Sequence, residues 1–255
     1  MKLSGNTILI TGGGTGIGKG LAKKFKSLGN DVIICGRRED RLKEVSVECP
    51  GVHYVKCNIA SEQERRDMFE HIRNSFPNLN VIINNGAVQN DYDLTAGPEA
   101  IDYAAKEIEI NLTAPIMLTS QYIPLLLKQK EPVIINITSI LGFTPVARIP
   151  IYCAAKAGFH VYTLVLRKQL ENTPIQVFEV PPPRVETELN PEGRRKARAA
   201  GTDVPGSLMP DEYADFVTAE LAKGNLDIFY GPAGDMVRTM PRPVSETARL
   251  RSKQV

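Results

Sequence analysis

Short apolar runs alternate along this chain with stretches of helical spacing, and that alternation restricts the fold more than any other feature. "NTILIT" (6–11), "DVIICG" (31–36), "VHYVKC" (52–57), "NVIINN" (80–85), "PVIINITS" (132–139), "IQVFEV" (175–180) and "LDIFYG" (226–231) read as strands. Helical spacing fills 16–30, 38–49, 62–76, about 98–129, about 150–172 and 211–224. In the first of these Ile17, Leu21, Phe25 and Leu28 share a face, and Gly29 can end it. Pro115 and Pro124 should bend the long helical region or stand where a lost N–H is tolerated. Near-continuous apolar strands alternating with helices imply a parallel sheet covered on both faces. The reading is a single α/β domain over 1–255, doubly wound, with a mostly parallel seven-stranded sheet and helices on both faces. The segment 188–209 reads as a substrate flap, since connections of that length usually serve function. Residues 232–255 read as an irregular C-terminal tail.

Composition removes several classes of function. The chain has 255 residues, 42% of them hydrophobic, and a net charge of +2. That charge is too small to argue for nucleic acid or a membrane surface. The basic stretch "EGRRKARAAG" (192–201) and the end "RLRSKQV" read as solvated. Cys35, Cys49, Cys57 and Cys153 show no metal-ligand or disulfide spacing, so reduced thiols and no metal are expected. The start "MKLSGNTILITGG" lacks a signal-peptide pattern, and no apolar run approaches a membrane span. A cytoplasmic location follows as an expectation.

In doubly wound sheets ligands bind beyond the carboxyl ends of the strands. "TGGGTGIG" (11–18) stands there, between a strand and a helix. Gly12 permits a tight turn, Gly16 lets backbone approach a pyrophosphate, and Gly18 lets helix and strand pack closely. The loop places Thr15, Gly16 and Ile17 at a helix N-terminus, where N–H groups and the positive dipole end favour phosphate. About 20 residues on, where an acidic residue would select a ribose 2′-OH, the chain has "CGRRED". Arg37 or Arg38 can pair a 2′-phosphate instead, which favours NADP(H); Arg37 is nearer the strand end. Downstream, Tyr152 and Lys156 stand four apart on one helical face, thirteen residues after Ser139.

Together "TGGGTGIG", "NNGA" (84–87), "NLTA" (111–114), "INITSILG" (135–142), "YCAAK" (152–156) and "PPPRVETEL" (181–189) resemble the short-chain dehydrogenase/reductase family. The order and spacing fit from about residue 5 to 231, and "PPPRVET" is similar to a DltE-like subgroup. The resemblance implies a Rossmann-type, single-domain, NADP-dependent oxidoreductase with a tetrad of Asn111, Ser139, Tyr152 and Lys156. Tyr152 would exchange a proton with a carbonyl or alcohol oxygen. A lysine ammonium beside a tyrosine stabilises tyrosinate, so Lys156 should lower the Tyr152 pKa. Lys156 would also hold the nicotinamide ribose. Ser139 would hydrogen-bond the substrate oxygen, although Thr138 offers a neighbouring hydroxyl; Asn111 would hold a water that relays protons. The resemblance also implies cofactor contacts at Asn58 and Asn85 on the adenosine side and at Val185 and Thr187 on the nicotinamide side.

Three positions depart from the family pattern. Gly86 and Ala87 are exchanged, Asn58 replaces an acidic residue, and Pro182-Pro183 replaces Pro-Gly. The first could shift the adenosine contact. The last should stiffen the nicotinamide loop and remove a backbone donor. Ile140, Leu141, Phe143, Val146 and Ile149 are candidate pocket positions for a small carbonyl or alcohol substrate, with Arg148 open to an acidic group. Small residues on the 150–172 helix (Ala154, Ala155, Ala157, Gly158) permit close helix approach, and the family resemblance implies a homodimer or homotetramer paired through this helix and the preceding long one. The same site could serve an imine, an enone or an epimerisation. A non-enzymatic NADPH sensor is the alternative of another class.

Overall fold

The computed structural model describes residues 1–199, 201 and 207–239. Among them six strands form one parallel sheet: β1 (Thr7–Thr11), β2 (Asp31–Gly36), β3 (Val52–Lys56), β4 (Leu79–Asn84), β5 (Val133–Ile137) and β6 (Gln176–Val180). Their order is β3-β2-β1-β4-β5-β6. The chain leaves β1 toward β2 on one side and later returns to β4 on the other. That reversal opens a crevice at the carboxyl ends of β1 and β4.

Strand alternation sorts the core into two layers. Ile8, Ile10, Val32 and Ile34 pack with Leu21, Phe25 and Leu42 on one face. Leu9, Ile33 and Cys35 pack with Met68, Ile72 and Tyr122 on the other. The helical residues among these come from α1 (Gly16–Ser27), α2 (Glu39–Glu48), α3 (Glu62–Ser75) and α5 (Ala114–Leu126); the other α-helices among the described residues are α4 (Ala104–Ile108), α6 (Pro150–Gln169), α7 (Pro191–Ala199), α8 (Pro210–Lys223) and α9 (Gly231–Thr239). β4 and β5 are buried throughout, as a doubly covered parallel sheet requires, whereas β3 is an edge strand with His53 and Tyr54 exposed.

The seventh strand expected over 226–231 does not form. Glu179 N–H donates to Leu226 O and Ile228 N–H to Glu179 O, a single bridge at Asp227. Gly231 then adopts a φ of 63° and the chain enters α9, too soon for a ladder. Accordingly 231–239 is helical rather than irregular tail, and 240–255 lie outside the described residues. The flap segment is likewise partly regular. It contains α7, and its base is pinned where Glu186 N–H donates to Leu208 O and Leu208 N–H to Arg184 O. The four cysteines are free thiols. No helix among the described residues is long and apolar enough to cross a membrane.

The long helical region holds the prolines in two ways. A π-turn spans Glu109–Thr113 between α4 and α5, and Pro115 follows it in the first turn of α5. Having no N–H, Pro115 cannot close an α-type bond on the Asn111 carbonyl four residues back. Pro124 lies within α5. A buried polar ladder ties this region to the sheet. Asn84 Nδ2 donates to Thr119 Oγ1 (2.9 Å) and Asn136 Oδ1 (2.8 Å), and Asn136 Nδ2 donates to Thr163 Oγ1 on α6 (2.9 Å). The carboxyl ends of β4 and β5 are thereby fixed against α5 and α6, which carry or follow the candidate reactive residues.

Candidate active site

A cleft of about 1130 Å³ lies over the carboxyl ends of the strands. It runs from the glycine-rich loop to Ser139, Tyr152 and Lys156. The loop is built for close approach. Gly12 has φ 66° and Gly16 φ 53°. A Cβ on Gly18 would lie 2.3 Å from Gly12 O, and one on Gly16 2.8 Å from Thr187 Cγ2. Thr15 precedes α1 without capping it through its side chain, and the first turn carries no acidic residue. The helix end thus keeps its positive character for a phosphate. Gly12, Thr15, Gly16 and Ile17 line the cleft, whereas Gly18 packs behind the loop.

The loop is positioned from behind. Asn85 Nδ2 donates to Thr11 O (2.9 Å) and Gly12 O (3.2 Å), while Thr11 Oγ1 accepts the N–H of both Asn85 and Gly86. The Asn85 Nδ2 group thus holds the loop, and the residue also lines the cleft. The exchanged Gly86 meets Gly12 closely, since a Cβ on Gly12 would stand 2.7 Å from Gly86 Cα. Asn58 lines the cleft, with its Oδ1 accepting from Ala60 N–H (3.3 Å). Arg37, Arg38 and Arg41 stand at the same end. Such a cradle, with uncapped N–H groups and three guanidinium groups, fits a phosphorylated dinucleotide in its donor set.

At the other end Ser139, Tyr152 and Lys156 line the cleft; Asn111 is not part of its lining, and all four tetrad positions are buried. Asn111, Ser139, Tyr152 and Lys156 are 1%, 6%, 5% and 3% exposed. The Ser139 side chain acts on the Tyr152 hydroxyl, pulling its pKa down against the effect of burial. Ser139 Oγ also accepts the Leu141 N–H (3.1 Å), whereas the Thr138 hydroxyl is turned to Glu179 Oε1 (2.8 Å). Ser139 is therefore the hydroxyl that meets Tyr152. Lys156 Nζ donates to Ile137 O (2.9 Å) and lies 5.7 Å from the Tyr152 ring centroid. Burial lowers the Lys156 pKa to about 7 and raises that of Tyr152 to about 12, the Ser139 hydroxyl opposing the latter. The expected depression of Tyr152 by Lys156 is therefore not found: desolvation is the largest effect on both groups and raises the phenol instead.

Asn111 departs from its expected part in one respect. Its Oδ1 accepts Val88 N–H (2.9 Å) and its Nδ2 donates to Val88 O (2.8 Å). The side chain clamps the pocket wall through these two bonds. Val185 is buried and lines the cleft with Thr187, whose Oγ1 accepts from Arg194 Nη2 (3.2 Å). Of the pocket candidates, Ile140, Leu141, Val146, Arg148 and Ile149 line the cleft. Phe143 instead packs on His160 and Phe229, with ring centroids 4.3 and 5.7 Å away. Arg148 is engaged by Asp91 Oδ1 (2.5 Å).

Several neighbours carry no local sequence signal. Buried Glu107, one turn before Asn111, accepts from Asn90 Nδ2 (2.6 Å) and the Tyr92 hydroxyl (2.8 Å), and burial raises its pKa. Glu179 accepts from Thr138 and from His160 Nδ1 (2.8 Å). Asp91 also accepts from Asn190 Nδ2 (2.7 Å), so the 88–92 loop is tied to the start of α7. Glu188 reaches back to Arg38 Nη1 (2.7 Å). These links join residues far apart in the chain, and only the folded topology brings them together.

A family model described as short chain dehydrogenase matches residues 6–198. The "Uncharacterized oxidoreductase DltE" of Bacillus subtilis (strain 168) is 41% identical over 228 residues, 89% of each chain. A short chain dehydrogenase from Burkholderia cenocepacia J2315, solved in complex with NADP, superposes with a TM-score of 0.79 at 20% identity, over 100% of this chain and 99% of that one. The 3-ketoacyl-(acyl-carrier-protein) reductase from Brucella melitensis, complexed with NADH, superposes with a TM-score of 0.74 at 25% identity, over 86% and 91%.

Proposed function

Given that the chain belongs to the short-chain dehydrogenase family and is a DltE-like oxidoreductase of it, we propose that it transfers a hydride between NADP(H) and a carbonyl or secondary alcohol, with Tyr152 as general acid and base. The observation that carries the reading is the buried grouping of Tyr152, Ser139 and Lys156 in the lining of one end of a cleft that begins at the glycine-rich loop. The cofactor, when bound, supplies or accepts the hydride. The NADP(H) preference is supported by Arg37 and its two neighbours at the adenosine end, and Asn58 stands there for the adenine.

The chain's own groups suit the proton side of that chemistry. Tyr152, protonated at neutral pH, can donate to an oxygen gaining negative charge, since an alkoxide is a far stronger base than a phenolate. Ser139 donates to the same oxygen and stabilises the charge as it develops. Once tyrosinate forms, Lys156 becomes more basic through attraction and takes up a proton. The Asn111 carbonyl offers a polar acceptor on the way to solvent, and its side chain keeps the Val88 wall in register. Val185 and Thr187 face the nicotinamide end. The substrate is a small carbonyl or alcohol lying against Leu141, Val146 and Ile149. The reading extends to a homodimer or homotetramer, supported by exposed Met117 on α5 and Val161 and Val165 on α6.

The test is a panel of ketones and aldehydes with NADPH or NADH, run on the wild type and on Tyr152→Phe. The reading expects turnover with NADPH to fall about 10²- to 10⁴-fold in the variant while calorimetric NADPH affinity is retained. Equal turnover in the two proteins would sink it.

A further inference from the structure

The adenosine end of the cleft contains an anion of its own. Glu188 Oε2 accepts from Arg38 Nη1 at 2.7 Å, and its Oε1 stands 3.5 Å from Arg41 Nη2. Arg38 Nη2 also donates to Thr15 Oγ1 (3.2 Å). The contact spans the cleft, because Glu188 follows Thr187 on the loop after β6, 150 residues along the chain from Arg38. Arg41 is further paired with Glu44 (2.9 Å), while Arg37 makes no ion pair among the described residues.

Stability does not account for this arrangement. Arg38 and Glu188 side chains are 54% and 46% exposed, and ion pairs so open to water contribute little to a fold. Their position is more telling than their strength. The N–H forks that Glu188 occupies are those a ribose 2′-phosphate would need. A phosphate dianion arriving there must displace the carboxylate or accept its repulsion.

Resting on the NADP(H) reading, we propose that Glu188 determines cofactor discrimination by acting as an internal counter-anion. It holds Arg38 and Arg41 against a 2′-phosphate and leaves Arg37 as the cation immediately open to it. Its presence narrows the preference for a phosphorylated over an unphosphorylated adenosine.

The experiment is calorimetric titration of the full chain with adenosine 2′,5′-bisphosphate and with AMP, for the wild type and Glu188→Gln. The variant is expected to bind the bisphosphate about three- to tenfold more tightly at low salt, with AMP unchanged, from one charge removed near a dianion. The gain should shrink at roughly 0.5 M salt, where the Debye length is only a few ångströms. Unchanged or weaker bisphosphate binding in the variant would overturn the proposal, as would weaker AMP binding, which would mean that Glu188 contacts the ribose. Wild-type binding without a gain in the variant refutes the counter-anion alone. If neither protein binds either probe, the dinucleotide reading falls with it.

Discussion

Lys156 Nζ lies 5.7 Å from the Tyr152 ring centroid, and burial drives the two groups in opposite directions, to about 7 and about 12. The amine leans toward its neutral form and the phenol keeps its proton, so the buried pair carries less charge than the same residues in water. The arrangement holds a proton donor in reserve while avoiding two uncompensated buried ions.

The Lys156 shift makes stability depend on pH with a definite sign. In the unfolded chain Lys156 titrates near the ordinary 10.5, and in the folded chain near 7. Between these values the unfolded state binds more protons, so stability rises with pH through that window. Below pH 7 both states are protonated and the penalty is constant. Chemical denaturation of the wild type and Lys156→Met from pH 7 to 9.5 measures it. The wild type should gain roughly 3 kcal/mol relative to the variant across that range. Tyr152 acts oppositely only above its ordinary value near 10. A flat difference would show that Lys156 is hydrated in the folded protein.

Gly18 tests the glycine-rich loop. An added Cβ would meet Gly12 O at 2.3 Å and Asn85 Nδ2 at 2.5 Å, and the carbonyl cannot swing aside without moving the loop. Gly18→Ala should weaken NADPH binding at least about tenfold and lower stability by about 1–3 kcal/mol. Gly36→Ala, whose Cβ would find only Leu42 Cδ2 at 3.6 Å, should leave stability within about 1 kcal/mol. Calorimetry and urea melts distinguish the two, and equal effects would discount the contact at Gly12.

This contrast bears on what could be read from the chain unfolded. The glycine-rich loop, Ser139 and the Tyr152–Lys156 pair are local patterns whose spacing carries their geometry, and six strands were visible in their apolar runs. The seventh run, 226–231, has the same composition, yet Gly231 turns the chain into α9 after one bridge. Hydrophobic pattern reports burial there, not ladder length. Asp91, Glu107 and Glu188 were illegible for another reason. Their partners Arg148, Asn190, Asn90 and Arg38 lie elsewhere in the chain and become neighbours through the topology alone. The π-turn at Asn111 left a faint trace in Pro115, four residues later.

Asn111→Leu separates the two parts this residue plays. It removes a two-bond clamp and leaves the half-buried Val88 N–H and C=O without their partner beside the buried residue 111. A loss of about 2–4 kcal/mol in urea denaturation is expected. The carbonyl survives the substitution, so turnover per folded molecule should fall less than in Tyr152→Phe. A collapse of turnover as deep as that of Tyr152→Phe, in protein shown to be folded by circular dichroism, would instead give the side chain a direct part in the chemistry.

Asp91 ties the pocket wall to the segment that begins α7. Its Oδ1 accepts from Arg148 on the loop before α6 and from Asn190 at the head of α7, joining the pocket wall to the flap. Asn190 is itself held at φ 51° and accepts the Gly193 N–H through Oδ1 (2.9 Å), so the latch sets where α7 begins. Asp91→Ala releases both donors and leaves every tetrad residue in place. The substrate KM should rise about five- to thirtyfold, as expected for one or two lost charge-assisted bonds, while kcat changes less than threefold. NADPH affinity should stay within twofold, and limited proteolysis should cut more readily between 188 and 201. A fall in kcat at constant KM, with no change in proteolysis, would reject the latch and place Asp91 with the reacting groups.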